Sequence, residues 1–241
     1  MKIDVIFLPA AVSEVDMSNT TCVVLDIFRA TTSIVTAMAN GCKVLTPVLT
    51  VNDAQQLSNQ NKTALLAGER QSIKIAGFDF GNSPFDFSGD KVRGRQIIMT
   101  TTNGTTAIKA TEGAYRTLIG SFSNASAVCR QAKQYGKDIM IVCAGTDRLF
   151  SLEDALCAGF LTEMLLSEGE SETILTDAAS GALLMYTQAK DALVDVAKNS
   201  RNGRRLCDLG READVEYCFR INLFTTVPEY RNGTITLDCK E

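Results

Sequence analysis

Short apolar runs rich in β-branched residues alternate along this chain with longer stretches of helical periodicity. The runs are continuous rather than strictly alternating, the pattern of strands covered on both faces. They predict strands over residues 4–7, 22–25, 43–46, 64–67, 96–99, 117–119, 138–142 and 216–219. Helices are predicted to start near Thr32, Asn52, Thr105, Asn124, Ser151, Asp177 and Ala189, several behind a good N-cap residue. Residues 77–90, rich in Gly, Asp, Ser and Phe, fit neither period and read as a structured loop. No low-complexity tract divides the chain, so it is treated as one unit.

An internal repeat shows when the run from Val23 is laid over the run from Ile97. Val23 falls on Ile97, Asp26 on Thr100, Arg29 on Asn103, and Thr31 and Thr32 on Thr105 and Thr106. Two βαβα units, about 20–72 and 94–136, are implied. Both post-strand loops then lie at the carboxyl ends of strands, where open parallel sheets bind ligands.

The second loop, within 99–108, carries five hydroxyl side chains, an amide and a glycine between strand and helix. Thr101, Thr102, Asn103, Gly104 and Thr105 either cap the helix or cradle an anion against its N-terminal N–H groups, and one cap does not need five hydroxyls. The first loop adds Asp26 and Arg29 to the same frame, with Thr31 and Thr32 behind them. A carboxylate beside a phosphate clamp is tolerable only with a screening cation, and the bland alternative is an Asp26–Arg29 cap. An Asp closing an apolar strand is also found in haloacid dehalogenase-type phosphatases, but their D-x-D-x-T run needs a second Asp where Phe28 stands. A third strand end offers Gly145 and Thr146, then Glu153 and Asp154 in a first helical turn, as metal ligands or as dipole-complementing acids. Glu69 and Arg70 end another strand, ahead of Asn82 and Ser83 in the Phe-rich loop, which forms a lid or a surface loop. Arg201, Arg204 and Arg205 around Gly203 read as a solvated basic face.

Composition narrows the chemistry. The chain of 241 residues has no histidine, which excludes phosphohistidine, Ser-His triads and histidine-bound zinc. Its net charge of -4 argues against general nucleic-acid binding. The eight cysteines show no C-x-x-C spacing and sit mostly in apolar runs, as small hydrophobes in a reducing cytoplasm. No run approaches roughly 18 apolar residues and no signal-peptide pattern opens the chain, so neither membrane nor export is expected. No Walker-type phosphate loop is present.

The runs VVLDIFRATTSIVTA, AGER with the later GFDFGNSP, TTTNGT, and CAGT with the later SLEDALCAG, in this order and spacing, resemble the 2-phosphosulfolactate phosphatase family. The resemblance spans most of the chain. It implies one α/β domain over 1–241, a three-layer α/β/α sandwich around a mainly parallel sheet, and magnesium-dependent hydrolysis of (R)-2-phospho-3-sulfolactate in coenzyme M biosynthesis. On that reading Asp26, Glu69 and Asp154, with Glu153 in reserve, hold Mg2+. Arg29, Arg70 and the 101–105 loop hold the anionic groups, with Thr31, Thr32, Asn82, Ser83, Gly145 and Thr146 lining the site. Asp26 and Arg29 are the catalytic pair, and the attacking group is metal-activated water or Asp26 itself. A small phosphorylated acid is the expected partner, and assembly into a homo-oligomer stays open. The alternatives are a phosphatase for another small phosphorylated acid, a phosphotransferase or nucleotide-dependent enzyme, and a non-catalytic anion-binding module.

Overall fold

Strand pairing begins where the sequence is most apolar: Thr20–Leu25, with five of its six residues buried, is flanked on both sides by parallel neighbours. The computed structural model describes residues 1–166 and 172–237. Its strands are β1 (Lys2–Ile6), β2 (Thr20–Leu25), β3 (Val44–Pro47), β4 (Leu65–Arg70), β5 (Ile73–Lys74), β6 (Gln96–Thr100), β7 (Arg116–Ile119), β8 (Asp138–Cys143), β9 (Ile174–Leu175), β10 (Pro228–Arg231) and β11 (Thr234–Leu237). Its helices are α1 (Ala30–Ala39), α2 (Val51–Gln60), α3 (Gly89–Val92), α4 (Gly104–Ala110), α5 (Ala125–Gln134), α6 (Leu152–Leu166), α7 (Asp177–Ala189), α8 (Leu193–Lys198), α9 (Arg201–Asp208) and α10 (Glu212–Cys218). The result is an α/β fold with helices flanking a large, mostly parallel sheet, as in a three-layer sandwich.

The sheet order is β5-β4-β6-β3-β11-β10-β7-β2-β8-β1-β9, and antiparallel pairing is confined to β5 and the β10–β11 hairpin. Outward from that hairpin the order is β3-β6-β4 on one side and β7-β2-β8 on the other. Strands β2, β3 and β4 thus have positional counterparts in β6, β7 and β8. Residues Arg29 and Asn103, matched in the sequence comparison, are the N-cap residues of α1 and α4. Helix α1 is buried from Ala30 to Met38, so its Thr and Ser side chains bond inward: Thr36 donates to Thr32 O at 2.8 Å and Ser33 to Asn82 O at 2.8 Å. A helix enclosed on all sides holds the loop that precedes it rigidly.

Two sequence expectations fail here. Residues 216–219 lie at the end of α10 rather than in a strand, with Asp214, Val215 and Cys218 buried on one helical face. The final pair of strands is the hairpin at 228–237, whose turn carries Asn232 and Gly233 at φ 51° and 82°. Asn-Gly is the residue pair such a turn demands, because both positions need positive φ. Seven cysteines are free and all but Cys207 are buried, while Cys239 lies outside the described residues. Among the described residues no helix is long and apolar enough to cross a membrane.

Candidate active site

Four strand ends and α9 converge on a narrow, open cleft. Asp26, Arg29, Glu69, Asn82, Thr102, Asn103 and Thr146 line it, which brings seven of the sequence candidates to one place. The lining residues missed in the sequence are Phe28, Gln71, Ser72, Asp147, Asn202 and Arg205. Of these only Arg205 carried a signal, the basic turn at 201–205: it lines the cleft, while Arg201 and Arg204 are exposed as a solvated face would be.

Asp26 sits where β2 runs into α1. Its Oδ1 accepts the Ala30 N–H at 3.2 Å, and the Thr31 hydroxyl ties the Asp26 backbone by accepting its N–H at 2.9 Å and donating to its carbonyl at 3.1 Å. Oδ2 faces Gly104 at the start of α4. A Cβ added at Gly104 would lie 2.7 Å from that oxygen and 2.4 Å from the Ala30 Cβ. The glycine is therefore what lets the two phosphate-loop candidates touch. Thr105 repeats the Thr31 device in its own loop, accepting from Thr101 N at 3.3 Å and donating to Thr101 O at 3.0 Å. Thr31, Thr32, Thr101 and Thr105 thus brace the loops. Substituting Gly104→Ala is expected to push α4 from Asp26 at an overpacking cost of about 1–3 kcal/mol. A lowered melting temperature together with lost activity would show it.

The carboxylates divide into two kinds. Glu69 accepts the Ser72 N–H at 2.7 Å and the Thr102 N–H at 2.8 Å, tying the β4 loop to the β6 loop. Asp154 accepts from Ile27 N at 2.8 Å and Gly145 N at 3.1 Å, tying the β2 loop to the β8 loop. Burial first, then Asp26 and Glu153, pushes the Asp154 carboxyl well above its ordinary range, against those two N–H groups. Glu153 is only 2% exposed, and its charge acts on both Asp26 and Asp154. Burial, followed by the charges of Glu69 and Glu153, raises the Asp26 carboxyl from 3.8 to about 7, opposed by the Ala30 N–H and Arg29.

Because the fold raises this value, the stability Asp26 contributes is complete below its unfolded value and is lost as pH climbs through about 7. The metal-free protein should melt several degrees lower near about pH 8 than near about pH 5, and Asp26→Asn should reduce that difference to the part that the raised Asp154 carboxyl contributes. An unchanged slope in the variant would remove Asp26 as its source.

Arg29 is buried, with its guanidinium paired to Asp214 and donating to Ser72 O at 3.1 Å. Asp214 also accepts from Ser83 Oγ at 2.8 Å, so Ser83 supports the pair behind the cleft. Arg70 turns away from the cleft, donating to Glu69 O at 2.7 Å and Thr100 Oγ1 at 3.0 Å. Asn202 donates to Phe28 O at 3.0 Å, and its own carbonyl oxygen, like that of Asn82, is buried without a partner.

Among the described residues no group of three or more acidic or thiol side chains is disposed to enclose a metal ion. The donor chemistry nonetheless fits Mg2+, which takes oxygen ligands and commonly only one or two carboxylates beside water and substrate phosphate. Asp26 Oδ2 and Glu153, whose charge acts on Asp26 although it does not line the cleft, carry no bond that ties loops among the described residues, whereas Glu69, which lines it, and Asp154 do.

Comparison with known proteins gives the site a context. Residues 6–233 match the family model described as 2-phosphosulpholactate phosphatase. A "Probable 2-phosphosulfolactate phosphatase" of Clostridium acetobutylicum is 42% identical over 236 residues, 98% of this chain and 100% of that protein. Proteins of the same name are 39% identical in Clostridium novyi, over 98% of this chain and 100% of the relative, and 40% identical in Caldanaerobacter subterraneus, over 93% of each. With its whole length matched at such identity, this chain belongs to the 2-phosphosulpholactate phosphatase family.

Proposed function

We propose that this protein is a cytoplasmic, magnesium-dependent phosphomonoester hydrolase that converts (R)-2-phospho-3-sulfolactate to 3-sulfolactate and phosphate, a step in coenzyme M biosynthesis. The observation that carries the reading is the closure of the β2 loop on the β6 loop through Gly104, which sets Asp26 against the N-terminal turn of α4. Membership in the family supplies the substrate. The positional pairing of β2–β4 with β6–β8 supports descent of both loops from one βαβα unit.

Asp26 and Glu153 would hold Mg2+, with Glu69 and Asp154 fixing the loops around them. When bound, the ion supplies charge neutralisation to the phosphoryl group and lowers the pKa of an attacking water. The chain's own part is positioning and electrostatics, the main demands of phosphoryl transfer. Arg29 places a fixed cation beside Asp26, and in the 101–105 turn, whose Thr101, Thr102 and Thr105 N–H groups are bonded within the loops, the Asn103–Gly104 step is the part left to face phosphate oxygens. The nucleophile is water or the Asp26 carboxylate. Hydrolysis of an ester made chiral at phosphorus separates the two: net retention at phosphorus assigns two displacements through an aspartyl-phosphate, and inversion assigns direct attack by water.

The test of the reading is phosphate release by purified protein across a panel of phosphorylated sulfonates and carboxylates, with magnesium, with chelator, and with magnesium restored. Turnover of phosphosulfolactate that chelator abolishes is expected. Preference for a different phosphorylated acid would reassign the substrate, and binding without turnover would make the site an anion-binding module.

A further inference from the structure

The cleft holds more negative than positive side chains, although the proposed substrate carries three anionic groups. Arg29 and Arg205 are the two arginines lining it, with Asp26, Glu69 and Asp147 opposing them. Arg29 is committed to Asp214 and Ser72 O in the protein interior. Arg205 is in a different position. Its Nη2 meets Asp147 Oδ2 at 2.7 Å, both side chains are partly exposed at 34% and 42%, and no second acceptor is paired with its guanidinium among the described residues.

Asp147 is held independently of that contact. Its N–H donates to Asn103 Oδ1 at 3.1 Å, and the carbonyl of Thr146 before it accepts from Arg201. Asp147 and Arg148 both adopt positive φ, 54° and 62°, a costly conformation for non-glycine residues that surrounding contacts must maintain. A partly exposed carboxylate, held by its own backbone contacts, thus pairs with Arg205 at the cleft. Such a surface pair is weak, so an incoming anion can displace Asp147 at small cost. Beyond the mouth, Arg201 and Arg204 continue the positive surface into a groove shared with Arg205 and Asp147.

We propose that Arg205 is a specificity-determining residue that exchanges Asp147 for the substrate's sulfonate, carried on the carbon next to the one that bears the scissile ester. This rests on the phosphatase reading above. Asp147 acts as the placeholder and competitor, so the two residues have opposite effects on affinity.

The test compares 2-phospho-3-sulfolactate with 2-phospholactate, which lacks the sulfonate, in wild type, Arg205→Gln and Asp147→Asn. One charge-assisted pair predicts that Arg205→Gln lowers the preference ratio of the two kcat/KM values by ~10–100-fold, through KM rather than kcat. Asp147→Asn should lower KM for the sulfonated ester, a gain that a merely structural residue would not give. Equal losses on both esters in Arg205→Gln would overturn the proposal and leave the phosphatase reading standing. If the wild type hydrolyses neither ester, that reading fails separately, and calorimetric titration with 3-sulfolactate and with lactate still decides. Loss of 3-sulfolactate binding alone in Arg205→Gln supports the clamp, and undiminished binding overturns it.

Discussion

Asp26→Asn is expected to reduce turnover by ~1000-fold or more, since it removes both the charge and the nucleophilic or proton-transferring capacity of the group at the meeting of the two loops. The fold should not suffer. The amide keeps an oxygen for the Ala30 N–H, the neighbouring Thr31 bonds go to the backbone, and the buried charge that neighbouring Glu69 and Glu153 oppose disappears. Activity and stability should therefore separate: kcat collapses while the melting temperature of the metal-free protein holds or rises above about pH 7. Removing a purely structural cap would move them together, costing about 1 kcal/mol of stability and little catalysis. Full turnover in Asp26→Asn would refute the central assignment of the site.

Why Asp26 was legible and other parts of the cleft were not follows from the range of the interactions. The end of an apolar run followed by Asp, Arg and paired Thr residues is a local pattern, and the similar run at 97–108 marked both loops. The central strands were read correctly for the same reason, since burial on both faces leaves a continuous apolar signature. Residues 216–219 misled because Val215, Tyr217 and Phe219 alternate like a strand, whereas Asp214, Val215 and Cys218 obey the helical period that packing selects. The Asn232–Gly233 signal was present in the sequence but lay outside the apolar runs that guided the strand assignment. Asp214 had no local signal at all. It meets Arg29 across 185 positions, and only the folding of α10 against the β2 loop creates the pair. Glu69 and Asp154 illustrate a subtler limit: residue type placed them at strand and helix ends, but not their engagement with backbone N–H groups of neighbouring loops.

The missed residue carries the largest stability effect. Arg29 and Asp214 are both nearly inaccessible to water, at 2% and 4% exposure. Removing one partner of such a pair leaves an uncompensated buried charge, at about 3–5 kcal/mol. For a chain of this size that corresponds to a fall in melting temperature of roughly 10 °C or more. Asp214→Ala should show this fall and should also lose turnover, because Arg29 and Ser83 lose their common acceptor and the Ser72 loop loses its fixed donor. A double replacement, Arg29→Met with Asp214→Leu, separates the two consequences. Apolar side chains of similar volume avoid the desolvation cost of both charges, so the double variant should recover most of the lost stability. It should recover no activity, since the cation beside Asp26 is gone. A double variant as unstable as Asp214→Ala would show that packing, rather than the stranded arginine, causes the loss. A double variant that regains turnover would take Arg29 out of the site.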